Sequence, residues 1–334
     1  MGSGQHFLEL GEPVGGPYPV PSRIETSHPA SVRVPMCLDL ATIDSTEKFS
    51  GTPGGGGIGI AFDMAISLKI EPTHDWDIQL QSKLPIEHIG RALCSVLLHD
   101  GAFRISSPDE SAAPFDISNE IAMAVAAGIN ASLGRPLGQR ELRRFVSYNL
   151  AKEANGMLVS VPDTGVREAG CLFGGLVIVT DELEIACRTP LPENGNLILI
   201  FPSAKAGDLD QGKMVQIDEK DREKKALEVL MRLIPASIKS EVGKMGDSIY
   251  RLQLLGSKVV EIRSFNNGKE IYRLMSMLRV KGCSLVGVHA ETGVVAAYVQ
   301  PNALDECLGV IEQTSAKRVI TRPENKGMKI TMVK

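Results

Sequence analysis

The chain has 334 residues, 43% of them hydrophobic and 23% charged, with a formal net charge of −4. That length suits two ordinary domains of a water-soluble globular class. The acidic balance and the single Trp76 exclude a broad nucleic-acid footprint, which needs clustered cations and stacking aromatics.

Proline removes backbone donors and glycine adds freedom, so the first thirty residues, with five prolines and five glycines, are expected to be an irregular arm (1–30). The segment SVRVPMCLDLATID is β-rich. After it, Ile58, Ile60, Phe62, Met64, Ile66, Leu68 and Ile70 take every second position, which is a long strand with one buried face. The two are expected to pair antiparallel through STEKFSGTPGGGG.

Helical spacing then places Ile86, Ile89, Leu93, Val96 and Leu97 on one face, and Leu142, Phe145, Val146 and Leu150 on another. Between these helices lie a polar loop, RISSPDESAAPFD, and an alanine-rich helix, ISNEIAMAVAAGINASL, whose small side chains predict close neighbours. Strands are expected at CLFGGLVIVTDE and NLILIFPS, closing a first domain over 31–204. From 205 to 334 the pattern reads as a charged helix, DEKDREKKALEVLMRLI, then helix, strand, strand, helix, strand and strand, which suits a small α+β sandwich.

No apolar run reaches the roughly 18 residues that cross a bilayer, and the start lacks a basic segment followed by an apolar core. A cytoplasmic protein with no membrane partner is the expectation. Six cysteines, at 37, 94, 171, 187, 283 and 307, form no CxxC pair and read as reduced thiols. The six histidines are scattered and spell no metal cluster.

Three stretches, IDSTEKFSGTPGGGGIGIAF, FDISNEIAMAVAAGINASLGRPLGQREL and ITRPENKG, carry a resemblance to the GHMP small-molecule kinase superfamily. Within it, the chain resembles the β-ribofuranosylaminobenzene 5′-phosphate synthases. The likeness implies an α/β, two-domain fold built from α+β sandwiches, a ferredoxin-like C-terminal domain, a cleft between the halves and a homodimer. It also implies small-molecule substrates and a decarboxylating transfer from phosphoribosyl pyrophosphate to 4-hydroxybenzoate or 4-aminobenzoate, with Mg²⁺. An ATP-dependent small-molecule kinase and a non-catalytic protein of the same fold are the alternatives.

GHMP kinases hold ATP phosphates on a glycine-rich loop entering the alanine-rich helix, an amide-lined anion site. The matching residues here are Pro114, Phe115, Asp116, Ile117, Ser118 and Asn119. No glycine remains, and a carboxylate stands where phosphate would approach, so ATP is not expected by the usual loop. Asp116, Ser118 and Asn119 read either as a helix cap or as a site, with Asp116 or Glu120 holding Mg²⁺ and Ser118 and Asn119 on the substrate.

Gly54, Gly55, Gly56, Gly57 and Gly59 would be either a turn or a phosphate lip. This run has no Lys and precedes a strand, unlike a P-loop. Arg33, Lys48, Arg322 and Lys326 are candidates for countering a polyanion, with Asn325 beside them. Asp44 and His289 are the candidate catalytic groups, His289 because imidazole titrates near neutrality. Cys37 and Cys283 read better as buried thiols than as nucleophiles.

Overall fold

In the computed structural model the described residues are 7–18, 24, 26–43, 55–80, 85–108, 116–161, 163–180, 182–202, 219–255, 262, 265, 267–289 and 292–333. The arm contributes one short strand, β1 (Phe7–Leu8). The two long strands follow as β2 (Ala30–Thr42) and β3 (Gly57–Thr73), antiparallel along almost their whole length. Their register shifts at Pro35/Met36, where Asp63 and Met64 of β3 go unmatched.

Next come β4 (Asp77–Gln79), α1 (Ile86–Val96) and β5 (Ala102–Ser106). The polar loop expected from Arg104 onward is strand as far as Ser106, because the upper edge of β3 offers a pairing partner from Lys69 to Thr73. The alanine-rich helix is α2 (Ser118–Ser132) and is buried almost end to end. Gly128 lets it lie directly on Ile70 and Val32. After α3 (Gln139–Asn149), a hairpin of β6 (Ala151–Ala154) and β7 (Met157–Ser160) joins β1.

A short helix, α4 (Val166–Phe173), corrects the expected strand at CLFGG: Cys171, Leu172 and Phe173 are its last residues. A compact apolar run has no period that separates strand from buried helix. Left-handed glycines bound it, Gly165 at φ 70° and Gly174 at φ 67°. The strand proper is β8 (Leu176–Val179), paired with the start of β3 and with β9 (Ile185–Thr189).

The strand β10 (Asn196–Phe201) joins the second sheet rather than the first. Beyond it lie α5 (Glu219–Glu228), a wide π-type turn (Val229–Leu233), α6 (Ile234–Ile238), α7 (Val242–Gln253) and α8 (Gly268–Val280). The widened turn immediately precedes Pro235, whose missing N–H breaks the regular ladder. Then follow β11 (Leu285–Val288), β12 (Val295–Val299), a 3₁₀ turn, α9 (Leu304–Glu312), β13 (Lys317–Thr321) and β14 (Lys329–Met332).

The second sheet runs β11-β12-β10-β13, all antiparallel. Strand alternation splits its core. Ile198 and Ile200 pack with Leu274, Met275 and Val310 of α8 and α9, while Leu197 and Leu199 join Met245 and Ile249 of α7 in the large central core. The halves are clamped: Gln253 donates to the Leu40 carbonyl, and the buried Lys225 ammonium donates to the Thr42 carbonyl at 3.3 Å. β14 then returns to pair with β2 in the first sheet. No helix among the described residues is long and apolar enough to cross a membrane.

Candidate functional site

The helices α2 and α4 start at one point, and Arg167 holds the two starts together. Its Nε donates to Glu120 Oε1 at 3.0 Å, and Nη2 donates to Glu120 Oε2 and to the Asp116 carbonyl, the latter at 2.6 Å. The Cys37 amide donates to the same Glu120 Oε1 at 3.3 Å, fixing the pair to β2. Burial opposes the charge on Arg167, but the Glu120 carboxylate outweighs it. Such a pair survives desolvation only because its hydrogen bonds are this complete.

Beside it lies a second cluster. Asn119 Nδ2 donates both to Asp163 Oδ1 at 3.2 Å and to Glu168 Oε1 at 3.0 Å. The Gly165 amide donates to Asp163 Oδ2 at 2.6 Å, and Thr164 Oγ1 lies 3.4 Å from Asp39 Oδ2. Asp163 is half-buried, whereas Glu168 is wholly enclosed. Burial pushes the Glu168 carboxyl well above the usual carboxylate range, and the neighbouring Asp163 pushes it the same way. Behind the Gly165 turn sits Arg143, almost wholly buried, with its Nε and Nη1 making no hydrogen bond among the described residues; Ser147 Oγ nearby makes none either.

At the start of α2, Asp116 Oδ1 accepts from the Ser118 amide at 3.0 Å and from Ser118 Oγ at 2.6 Å. A carboxylate thus occupies the first amide that an anion would use. Glu120 has both oxygens taken by Arg167 and Cys37, so Asp116 is the better placed of the two carboxylates named for Mg²⁺. Among the described residues no three His, Cys, Asp or Glu side chains converge as a metal site. A cation shared with substrate phosphates needs only one or two carboxylates.

Gly55 and Gly56 are left-handed, at φ 79° and 59°. Gly57 and Gly59 leave room for Val166, so that α4 lies flat on β3 beside Asp39. Gly54, Asp44 and Lys48 lie outside the described residues.

Arg33, Arg322, Asn325 and Lys326 gather at the far end of α4, roughly 10 Å along its axis. Arg33 is paired with Asp63 at 2.9 Å and faces Glu324 at 3.8 Å. Asn325 accepts from the Leu191 amide at 2.9 Å and donates to the Leu191 carbonyl at 2.8 Å. The Arg322 carbonyl accepts from the Asp63 amide, while the Arg322 and Lys326 residues are exposed. ITRPENKG is therefore a strap across β3 and the end of α4. His289 stands in the turn after β11, with Nδ1 at 3.0 Å from Thr292 Oγ1. A cavity of about 350 Å³ between α8 and α9, lined by Ile271, Leu274, Met277 and Val310, shares no residue with either cluster.

Asp163, Arg167, Glu168 and Arg143 escaped the sequence reading. The available signal was the Asp-Thr-Gly turn before an apolar stretch bearing Arg-Glu, a charged pair with no solvated face to occupy.

This arrangement of sheets and helices is shared with solved homoserine kinases and mevalonate diphosphate decarboxylases. The homoserine kinase of Cytophaga hutchinsonii superposes with a TM-score of 0.65 at 12% identity, over 92% of this chain and 98% of that one. The mevalonate diphosphate decarboxylase of Staphylococcus aureus gives 0.65 at 12% identity, over 93% and 100%. That of Enterococcus faecalis, whose structure concerns ATP binding mediated by mevalonate diphosphate, gives 0.64 at 14%, over 92% and 100%. No family model and no curated protein matches the chain.

Proposed function

We propose that the protein is an enzyme acting on small molecules, and that it resembles the β-ribofuranosylaminobenzene 5′-phosphate synthases in joining a phosphoribosyl pyrophosphate donor to 4-hydroxybenzoate or 4-aminobenzoate with loss of CO₂ and pyrophosphate. The carrying observation is the Asp116 carboxylate on the Ser118 amide. A nucleotide seated by main-chain nitrogens would have to displace it, whereas a donor whose pyrophosphate arrives with Mg²⁺ meets it as a ligand. Mg²⁺, when bound, would neutralise the leaving pyrophosphate. Ser118 and Asn119 border that position, and the half-buried Asp163 accepts from Asn119 beside them. In this reading the protein is a homodimer with two domains and works in the cytoplasm.

Incubation with donor, Mg²⁺ and carboxyl-labelled acceptor is expected to release labelled CO₂. Absence of release with both acceptors, together with micromolar Mg-ATP binding by calorimetry, would replace this reading with a small-molecule kinase.

A further inference from the structure

The Asp163–Glu168 pair has a feature that an acidic cluster alone lacks. Glu168 Oε2 is fully buried and has no donor among the described residues, while its other oxygen shares the Asn119 amide with Asp163. The NH₂ group gives one hydrogen to each carboxylate and so holds the two side by side, while the enclosed Glu168 oxygen left without a donor favours the acid form of that residue.

We infer that Asp163 and Glu168 share one proton, and that Asp163 takes the proton of the acceptor's para hydroxyl or amino group during the transfer. The second half rests on the synthase reading above. The first half does not.

The surroundings fit one net negative charge on the pair. Glu120 on α2 and Arg167 on α4 cancel each other. Arg143 on α3 supplies a positive charge behind the Gly165 turn, felt by Glu168, Asp163 and Glu184. Asp39 on β2 adds a further negative charge through Thr164, and Cys37 and Cys171 are thiols that burial keeps protonated. Burial and Asp163 both favour the acid form of Glu168. Asp163 is the solvent-facing member and touches substrate. Glu168 is a positioning residue that acts through it.

The step balances. The phenolic proton passes to Asp163, and the oxygen's electron pair pushes into the ring. The ring carbon bearing the carboxylate bonds to the ribosyl carbon as that carbon's bond to pyrophosphate breaks. The bond to the carboxylate then breaks, its electrons restore the ring, CO₂ leaves, and the product oxygen recovers the proton from Asp163.

Infrared spectra of the free protein at pH 7 test the shared proton without substrate. The C=O stretch of an un-ionised carboxyl is expected in the wild type and is lost in Glu168→Gln; an identical band in both, or none in the wild type, would overturn the inference. Ultraviolet spectra of 4-hydroxybenzoate bound with donor and Mg²⁺ test the transfer. Phenolate is expected on the wild type and phenol on Asp163→Asn, and phenol on both would overturn the role of Asp163. If no acceptor binds, the synthase reading fails, and the infrared result still decides the shared proton.

Discussion

Arg167 and Glu120 form a buried pair that joins the first turns of α2 and α4, with the guanidinium gripping both carboxylate oxygens. Removing one partner strands the other charge in the core. Arg167→Ala is expected to cost about 3–5 kcal/mol, whereas Arg167→Met with Glu120→Leu costs markedly less. Denaturant titration of the three proteins checks the ordering; equal losses would show that the pair is not where the stability resides.

Asp116 holds the first amide of α2 and obstructs anions with the same oxygen. Asp116→Ala is expected to lose about 1 kcal/mol of stability and, by freeing the Ser118 amide, to bind pyrophosphate several-fold more tightly in the absence of Mg²⁺. Calorimetry with and without the metal measures this. Unchanged affinity would move the polyanion away from α2.

The seat of α4 on the sheet depends on hydrogen side chains. A Cβ at Gly170 would collide with Cys37 Sγ, and one at Gly59 with Val166 and Cys37. Gly59→Ala and Gly170→Ala are each expected to cost about 1–3 kcal/mol through overpacking. Thermal melts would register this loss whether or not any ligand is present.

Five of the six thiols are buried, and burial pushes their titration upward, Cys94 to about 12. Cys187 is half-buried. Maleimide at pH 7 should therefore label Cys187 well ahead of the others, with peptide mapping as the readout. Early labelling of Cys37 would reopen its role as a nucleophile.

Glu168 gives stability a distinctive pH slope. Its folded carboxyl titrates above the unfolded one, so unfolding releases a proton at any pH between the two values. Its contribution is complete below the unfolded value, near 4.5, and is lost as pH rises toward the folded one, by about 1.4 kcal/mol per pH unit. Glu168→Gln mimics the acid form and removes this slope, so denaturation curves of mutant and wild type should match most closely at low pH and diverge as pH rises, the wild type falling below the mutant. Parallel curves would place Glu168 in a watery setting.

Strand and helix periods made most of the architecture readable. Ile58 to Ile70 announced β3, and the spacing of Leu142, Phe145 and Val146 announced α3. The candidate site was legible only on its α2 side. α4 stayed hidden because eight residues under two glycine stops carry too little periodicity, and its Arg167 and Glu168 acquire meaning only through partners 47 and 49 positions away. The position of β10 was hidden likewise, because NLILIF states that it is a strand and not which sheet receives it.

The last strand carries a consequence for synthesis. Since β14 covers the edge of β2, that edge has to wait until the entire second sheet has been translated before it is sealed. A nascent chain on the ribosome thus carries an open, strongly apolar border for almost three hundred codons, a ready template for other strands. Lys329, exposed on the strand that finally closes it, leaves the finished protein with a charged hem.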